Sequence, residues 1–221
     1  MSDAQERAWA ELADFYVIDP PRDAAATSIL PGSAFSPADV WERSARLVAE
    51  IGSGQGHAII HAATENPDTD FLAIEVFRSG LARTMLAAEQ GELRNIRLVE
   101  ANAPEVLMHL IPQAALDELW VFFPDPWHKN KHTKRRMVTD EFAGQAAGAI
   151  ADGGMLRLAT DWEDYALQMR AVLDASADFE RAFDGSWAPR FEGRVITAFE
   201  RKGARVGRDI RDLAYRRRAR T

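Results

Sequence analysis

Asp125 is a carboxylate held between two prolines. The apolar run Val121-Phe122-Phe123 stops at Pro124, and Pro126, Trp127, His128 and Lys129 follow at once. The prolines restrict the backbone on both sides of the acid and deny it a helix. Trp127 offers a flat apolar face on which a base can stack. Lys129, Lys131, Lys134, Arg135 and Arg136 place five cations within residues 129–136, with no acid among them. Such a run suits phosphates. Carboxylate, ring and cations in one stretch fit chemistry on a nucleic-acid base. The plainer alternative is a strand end followed by a solvated basic loop.

A second group lies upstream. Glu50-Ile51-Gly52-Ser53-Gly54-Gln55-Gly56 is a turn in which Gly52, Gly54 and Gly56 let a ligand approach the backbone. The spacing is G-x-G-x-G, which tilts away from a dinucleotide fingerprint, and no Walker-type phosphate motif occurs. Glu75 follows an apolar run, where an acid can accept from ribose hydroxyls. Asn102 follows the next run, where its amide can meet an adenine edge. Glycine turn, acid and amide in that order describe a nucleoside-shaped pocket, suited to S-adenosylmethionine as well as to NAD. Asp161 follows a later apolar run and is also a candidate helix cap.

The surrounding elements must bring these residues together. Buried-strand patterns at 46–51, 71–76, 96–100, 119–123 and 155–160 alternate with helical patterns at 55–65, 78–90, 103–112, 136–151 and 162–175. A helix runs to about Tyr16, and Ser36-Pro37 reads as the start of another. Alternation of this kind predicts an α/β fold, doubly wound, with a mostly parallel sheet. An antiparallel strand is expected at 194–200, followed by a basic terminus. Residues 1–44 read as a helical and irregular extension, and 45–221 as the main domain. In such sheets ligands bind beyond the carboxyl ends of the strands. Glu50, Glu75, Asn102, Asp125 and Asp161 all fall at or near those ends.

Composition narrows the field. The chain has 221 residues, 47% of them hydrophobic, which is ample for a full core. It has no cysteine, so disulfides, thiolate metal sites and a cysteine nucleophile are excluded. The N-terminus lacks a signal-peptide pattern and no apolar run approaches a membrane span, so the expectation is a soluble, cytoplasmic protein. Net charge is −7, yet residues 128–136 sum to +5 and 201–221 to +7, which leaves −19 on the rest. That segregation can make a positive surface on an acidic body. His128 and His132 are more simply RNA contacts than metal ligands, and no metal is expected. Nothing in the sequence calls for a protein partner.

Several of these motifs recur together in one known family. The turn at 50–56, Ile74-Glu75-Val76, Phe123-Pro124-Asp125-Pro126-Trp127 with its basic run, Ala159-Thr160-Asp161-Trp162 and Thr197-Ala198-Phe199-Glu200 stand in order. Over about residues 5–213 the chain resembles the bacterial tRNA (guanine-N7)-methyltransferases. The resemblance implies a class I methyltransferase fold and S-adenosylmethionine bound by Glu50, the glycine turn, Glu75, Asn102 and Asp125. Asp125 would also be the active-site carboxylate. Lys129, Asp161, Thr197, Ala198, Phe199 and Glu200 would contact the target nucleotide. Lys131, Lys134, Arg135 and Arg136 would meet the RNA backbone. The implied target is the guanosine at position 46 of the tRNA variable loop.

The chain departs from that family at Asn102, commonly Asp, and at Ala198, commonly Lys. His57 stands where Glu is common and reads as a surface residue. Many relatives also begin with a basic arm, whereas this sequence starts on an acidic helix. Three other readings compete: a methyltransferase acting on an exocyclic amine, a non-catalytic RNA-binding module and, least favoured, an NAD oxidoreductase.

Overall fold

The strand at Arg46–Ile51 (β1) is buried from its second residue onward, and Thr69–Glu75 (β2) is buried from its second residue to its last. Strands buried on both faces belong inside a parallel sheet covered by helices on each side. The computed structural model describes residues 1–196, 200 and 208–220. Ile96–Glu100 (β3), Leu116–Phe122 (β4) and Ile150–Thr160 (β5) extend the sheet. Phe179–Arg181 (β6) and Arg211–Arg217 (β7) complete it in the order β3-β2-β1-β4-β5-β7-β6. The first five strands pair in parallel, whereas β7 runs antiparallel to β5 and β6. The doubly wound, mostly parallel sheet is therefore as expected.

Helices fill the crossovers: His57–Glu65 (α3), Arg78–Gln90 (α4), Asp140–Ala149 (α6) and Glu163–Ala175 (α7). The segment expected as one helix over 103–112 is a single turn, Ala103–Glu105 (α5), running into a π-helical turn at Val106–Leu110. The N-terminal segment packs against α4 and β3. Its Asp3–Tyr16 helix (α1) sends Tyr16 into the core, where the hydroxyl donates to the Leu93 carbonyl at 3.1 Å. The short Pro37–Trp41 helix (α2) carries Pro at its first turn and a Ser36 cap, and buries Trp41.

The antiparallel strand is not where the sequence suggested. Arg194, Val195 and Ile196 are irregular and Glu200 is helical; Thr197, Ala198 and Phe199 lie outside the described residues. The strand is β7, inside the basic terminus. Leu213 and Tyr215 are buried there, and Arg217 is held under the surface by the Ala147 carbonyl at 3.0 Å and Asp178 at 3.2 Å. Arg220 donates to the carbonyls of Ala147 and Ile150 and pairs with Asp152. These arginines fasten the chain end to α6 and β5. Among the described residues no helix is long and apolar enough to cross a membrane.

Candidate active site

The carboxyl ends of β1, β2 and β4 open onto a cleft of about 650 Å³, lined by Gly52, Glu75, Val76, Phe77, Phe122, Phe123, Asp125, Trp127 and the start of α6, among others. Its size suits a cofactor-sized ligand. Gly52, Gly54 and Gly56 all have positive φ, at 70°, 57° and 78°, which explains the glycines of the turn. The turn folds onto Glu75. Gly54 N–H donates to one carboxylate oxygen at 2.8 Å, and Val76 and Phe77 N–H donate to the other at 2.7 and 3.0 Å. Three backbone donors fix the carboxylate, and its one remaining lone-pair site can accept from a ligand's hydroxyl.

Glu50 is not itself a lining residue of the cleft; it is buried on β1, 4% exposed, next to Ile51, which lines it. Burial pushes its carboxyl up to about 8; a backbone hydrogen bond from Ile59 opposes the rise and the Glu75 charge adds to it. Its Oε2 and the nearby Ser53 hydroxyl are buried without a partner. Unused buried acceptors beside a glycine turn fit a ligand with cationic and hydroxyl groups, such as S-adenosylmethionine.

Gly80, at the start of α4, went unnoticed in the sequence. A Cβ there would stand 2.3 Å from the Gly54 carbonyl oxygen. Only glycine lets α4 pack this close to the turn. Gly80→Ala should push the turn aside and weaken S-adenosylmethionine binding about tenfold, since overpacking of this kind costs about 1–3 kcal/mol. Isothermal titration calorimetry checks this, and an unchanged affinity would contradict the packing argument.

Asp125 stands at the exposed tip of its proline-flanked turn. The backbone on either side is unusual: Phe123 and Trp127 have φ of 53° and 42°, in the left-handed region that bulky residues avoid. Such strain costs about 1–3 kcal/mol per residue and persists where surrounding contacts impose it. Asp125 and Trp127 also line a second cleft, of about 370 Å³, with Pro126, His128, Lys129 and His132. Asp125 and Trp127 thus border both clefts.

The cations divide. Lys129, Lys131, Lys134 and Arg135 are exposed, and the Arg135 guanidinium lies 5.0 Å from the Trp127 ring centre. Arg136 is 5% exposed and turns inward. It donates to the Pro126 carbonyl at 2.8 Å, to Gln168 at 2.9 Å and to Asp164 at 2.8 Å. Arg136 therefore braces the Asp125 turn against α7, a position the charge pattern alone did not distinguish from a backbone contact.

Asn102 sits between Ala101 and Ala103, which line the large cleft, and other expected residues are tied to partners of their own. Asn102 is exposed and caps α5: its oxygen accepts from Glu105 N–H at 3.1 Å and its amide donates to the Glu105 carboxylate at 2.9 Å. Asp161 pairs with Arg208 at 2.9 Å and does not cap α7, whose N-cap is Trp162. Glu200 is buried and pairs with Arg194, a residue the sequence did not single out. Thr197, Ala198 and Phe199 fall outside the described residues. His57 is exposed. Among the described residues no group of His, Asp and Glu is placed to hold a metal ion. Sequence reading gave no site role to Val76, quoted only within its strand motif, or to Phe77; they are 54% and 71% exposed and line the cleft. Their signal was available: two apolar residues directly after a strand-ending acid.

The solved 16S rRNA methyltransferase KamB shares the fold, with a TM-score of 0.63 at 20% identity over 84% of this chain and 95% of that one. That likeness is one of fold, the class I methyltransferase fold, and S-adenosylmethionine as cofactor comes with the methyltransferase family that the sequence matches. A family model described as "Putative methyltransferase" matches residues 44–213. A tRNA (guanine-N(7)-)-methyltransferase of Nocardioides sp. (strain ATCC BAA-499 / JS614) is 47% identical over 98% of this chain and 83% of its own length. One from Arthrobacter sp. (strain FB24) is 42% identical over 96% and 82%. The chain belongs to the tRNA (guanine-N7)-methyltransferase family.

Proposed function

We propose that this protein transfers the methyl group of S-adenosylmethionine to N7 of the guanosine at position 46 in the tRNA variable loop, in the cytoplasm. Membership of the family carries the reaction and the tRNA substrate. The variable-loop position rests on the motif resemblance. The structural observation that best supports the reading is that Asp125 and Trp127 border both the cofactor-sized cleft and the smaller one beside it. A methyl donor on one side and a guanine on the other would meet at Asp125.

The residues then have distinct roles. Glu75, held by three backbone donors, accepts from a ribose hydroxyl, and Glu50 offers its unused oxygen to the cationic end of the cofactor. When bound, S-adenosylmethionine supplies a methyl carbon whose bond to sulfur breaks as the N7 lone pair forms the new one. N7 carries no proton, so no general base is required. The chain's task is alignment. The purine becomes cationic during transfer, and Asp125 stabilises that charge and accepts from guanine N1–H or the exocyclic amine. The guanosine leaves its stack to reach Asp125, and Trp127 holds it. Lys129 and Asp161 contact the same nucleotide, which requires Asp161 to exchange Arg208 for RNA.

A transcript with 7-deazaguanosine at the target position tests the atom. It should bind with native affinity and accept no methyl group. Methylation of that transcript would move the reaction to an exocyclic amine.

Lys131, Lys134 and Arg135 meet the RNA backbone. Replacing each with Ala should weaken tRNA binding and flatten its salt dependence, by about 0.7–0.9 in the log–log slope per lost phosphate contact. Filter binding between low and moderate salt measures this. An unchanged slope in the triple variant would remove the loop from the RNA path.

A further inference from the structure

Arg194 is 1% exposed, yet it belongs to none of the motifs read from the sequence. Its guanidinium donates to Asp212 at 3.0 and 2.9 Å and is paired with Glu200. Glu200 and Asp212 are themselves 3% and 6% exposed. The same guanidinium lies 5.6 Å from the Phe122 ring centre and 5.2 Å from that of Phe123. Both distances are within cation–π range, where a desolvated contact is strongest.

Those two phenylalanines lead directly into Pro124-Asp125. Phe123 has a φ of 53°, and its N–H donates to the Ala159 carbonyl at 2.7 Å. Ala159 is the register partner of Asp212 on β7. Phe123 is thus fastened on two sides, by the β5 backbone and by a guanidinium that Asp212 holds in place. A buried ion cluster adds little net stability, because desolvation offsets its attraction. What it supplies is a fixed position.

We propose that Arg194 is a positioning residue for Asp125, acting through Phe122 and Phe123, with Glu200 and Asp212 as its counter-ions. It never touches substrate or cofactor. Glu200, in this arrangement, acts on the reaction through Arg194 and not through the guanine. The inference rests on Asp125 being the active-site carboxylate.

The test is a double-mutant cycle between Arg194 and Asp125, read as the single-turnover rate of methyl transfer to guanosine N7 of an unmodified tRNA transcript. Arg194→Met alone takes a buried guanidinium away from two buried acids and can unfold the chain. The cycle is therefore run in parallel with a balanced variant in which the arginine and both acids lose their charge together, Arg194→Met/Glu200→Gln/Asp212→Asn. The balanced variant should bind cofactor and tRNA within about twofold of wild type and transfer methyl about 100-fold more slowly, the loss expected of a carboxylate displaced by about 1 Å. In an Asp125→Asn background the same three changes should slow transfer no further. Independent, multiplying losses would show a general structural role and overturn the proposal, as would a balanced variant as fast as wild type. A wild-type protein that methylates no guanosine N7 overturns the functional reading itself, a distinct result.

Discussion

Asp125→Asn lowers the single-turnover rate of methyl transfer by about 10²–10³-fold, the loss typical of removing one group that stabilises developing charge. The tRNA dissociation constant changes little. The two effects separate because the carboxylate's charge is needed only as the purine becomes cationic. Asparagine keeps the size and one acceptor oxygen but not the charge. The turn also survives the change: Pro124, Pro126, the Arg136 brace and the left-handed Phe123 and Trp127 do not depend on the Asp125 charge. Rapid-quench transfer and filter binding on the same variant give both numbers. Equal losses in rate and affinity would make Asp125 a binding residue only.

The second large effect has opposite signs for stability and for binding. Glu50→Gln stabilises the cofactor-free protein at pH 8 and weakens S-adenosylmethionine binding. The Glu50 carboxyl is raised from its ordinary 4.5 to about 8 by burial. A carboxyl raised on folding holds its proton more tightly in the folded state. Its contribution to stability is therefore complete below about 4.5 and is lost as pH rises towards about 8. Glutamine is neutral throughout and lacks that slope. One pH unit of displacement corresponds to about 1.4 kcal/mol, and water entry and relaxation reduce the full value, so a gain of about 2 kcal/mol is expected at pH 8. For a chain of this length that is about 4–8 °C in melting temperature. The cofactor, in turn, loses a charged acceptor, and its affinity falls at least about tenfold. Thermal melts at pH 5 and pH 8 with cofactor titration measure both. A variant that melts lower at pH 8 would contradict the burial argument.

Much of this architecture was legible because the central strands carry their signal locally. Leu47, Val48 and Ala49, or Leu72, Ala73 and Ile74, are continuous apolar runs, as fully buried parallel strands require. Glu75 and the glycine turn were readable for the same reason, since their chemistry depends on neighbours in the chain. The C-terminal part was not. Val195-Ile196 looks like a strand, but Ile196 is 59% exposed and Arg194 beside it is buried in ion pairs. The true strand, Arg211–Arg217, looks like a basic tail because its arginines find acids and carbonyls distant in sequence. Arg136 and Arg135 are adjacent and identical in type, yet one braces Asp164 and Gln168 and the other faces solvent and Trp127. Only tertiary contacts separate them. Asn102 was picked out by its place after β3; the cap it forms with Glu105 three residues on is a second role that place alone did not show.

The measurement that bears most directly on the central claim is methyl transfer from radiolabelled S-adenosylmethionine to unmodified tRNA transcript, mapped by borohydride–aniline cleavage. The expected result is label on the RNA and a single cleavage at the variable-loop guanosine, which identifies donor, atom and position together. Label without cleavage at that guanosine would contradict the account and place the methyl group on another atom or another residue of the RNA.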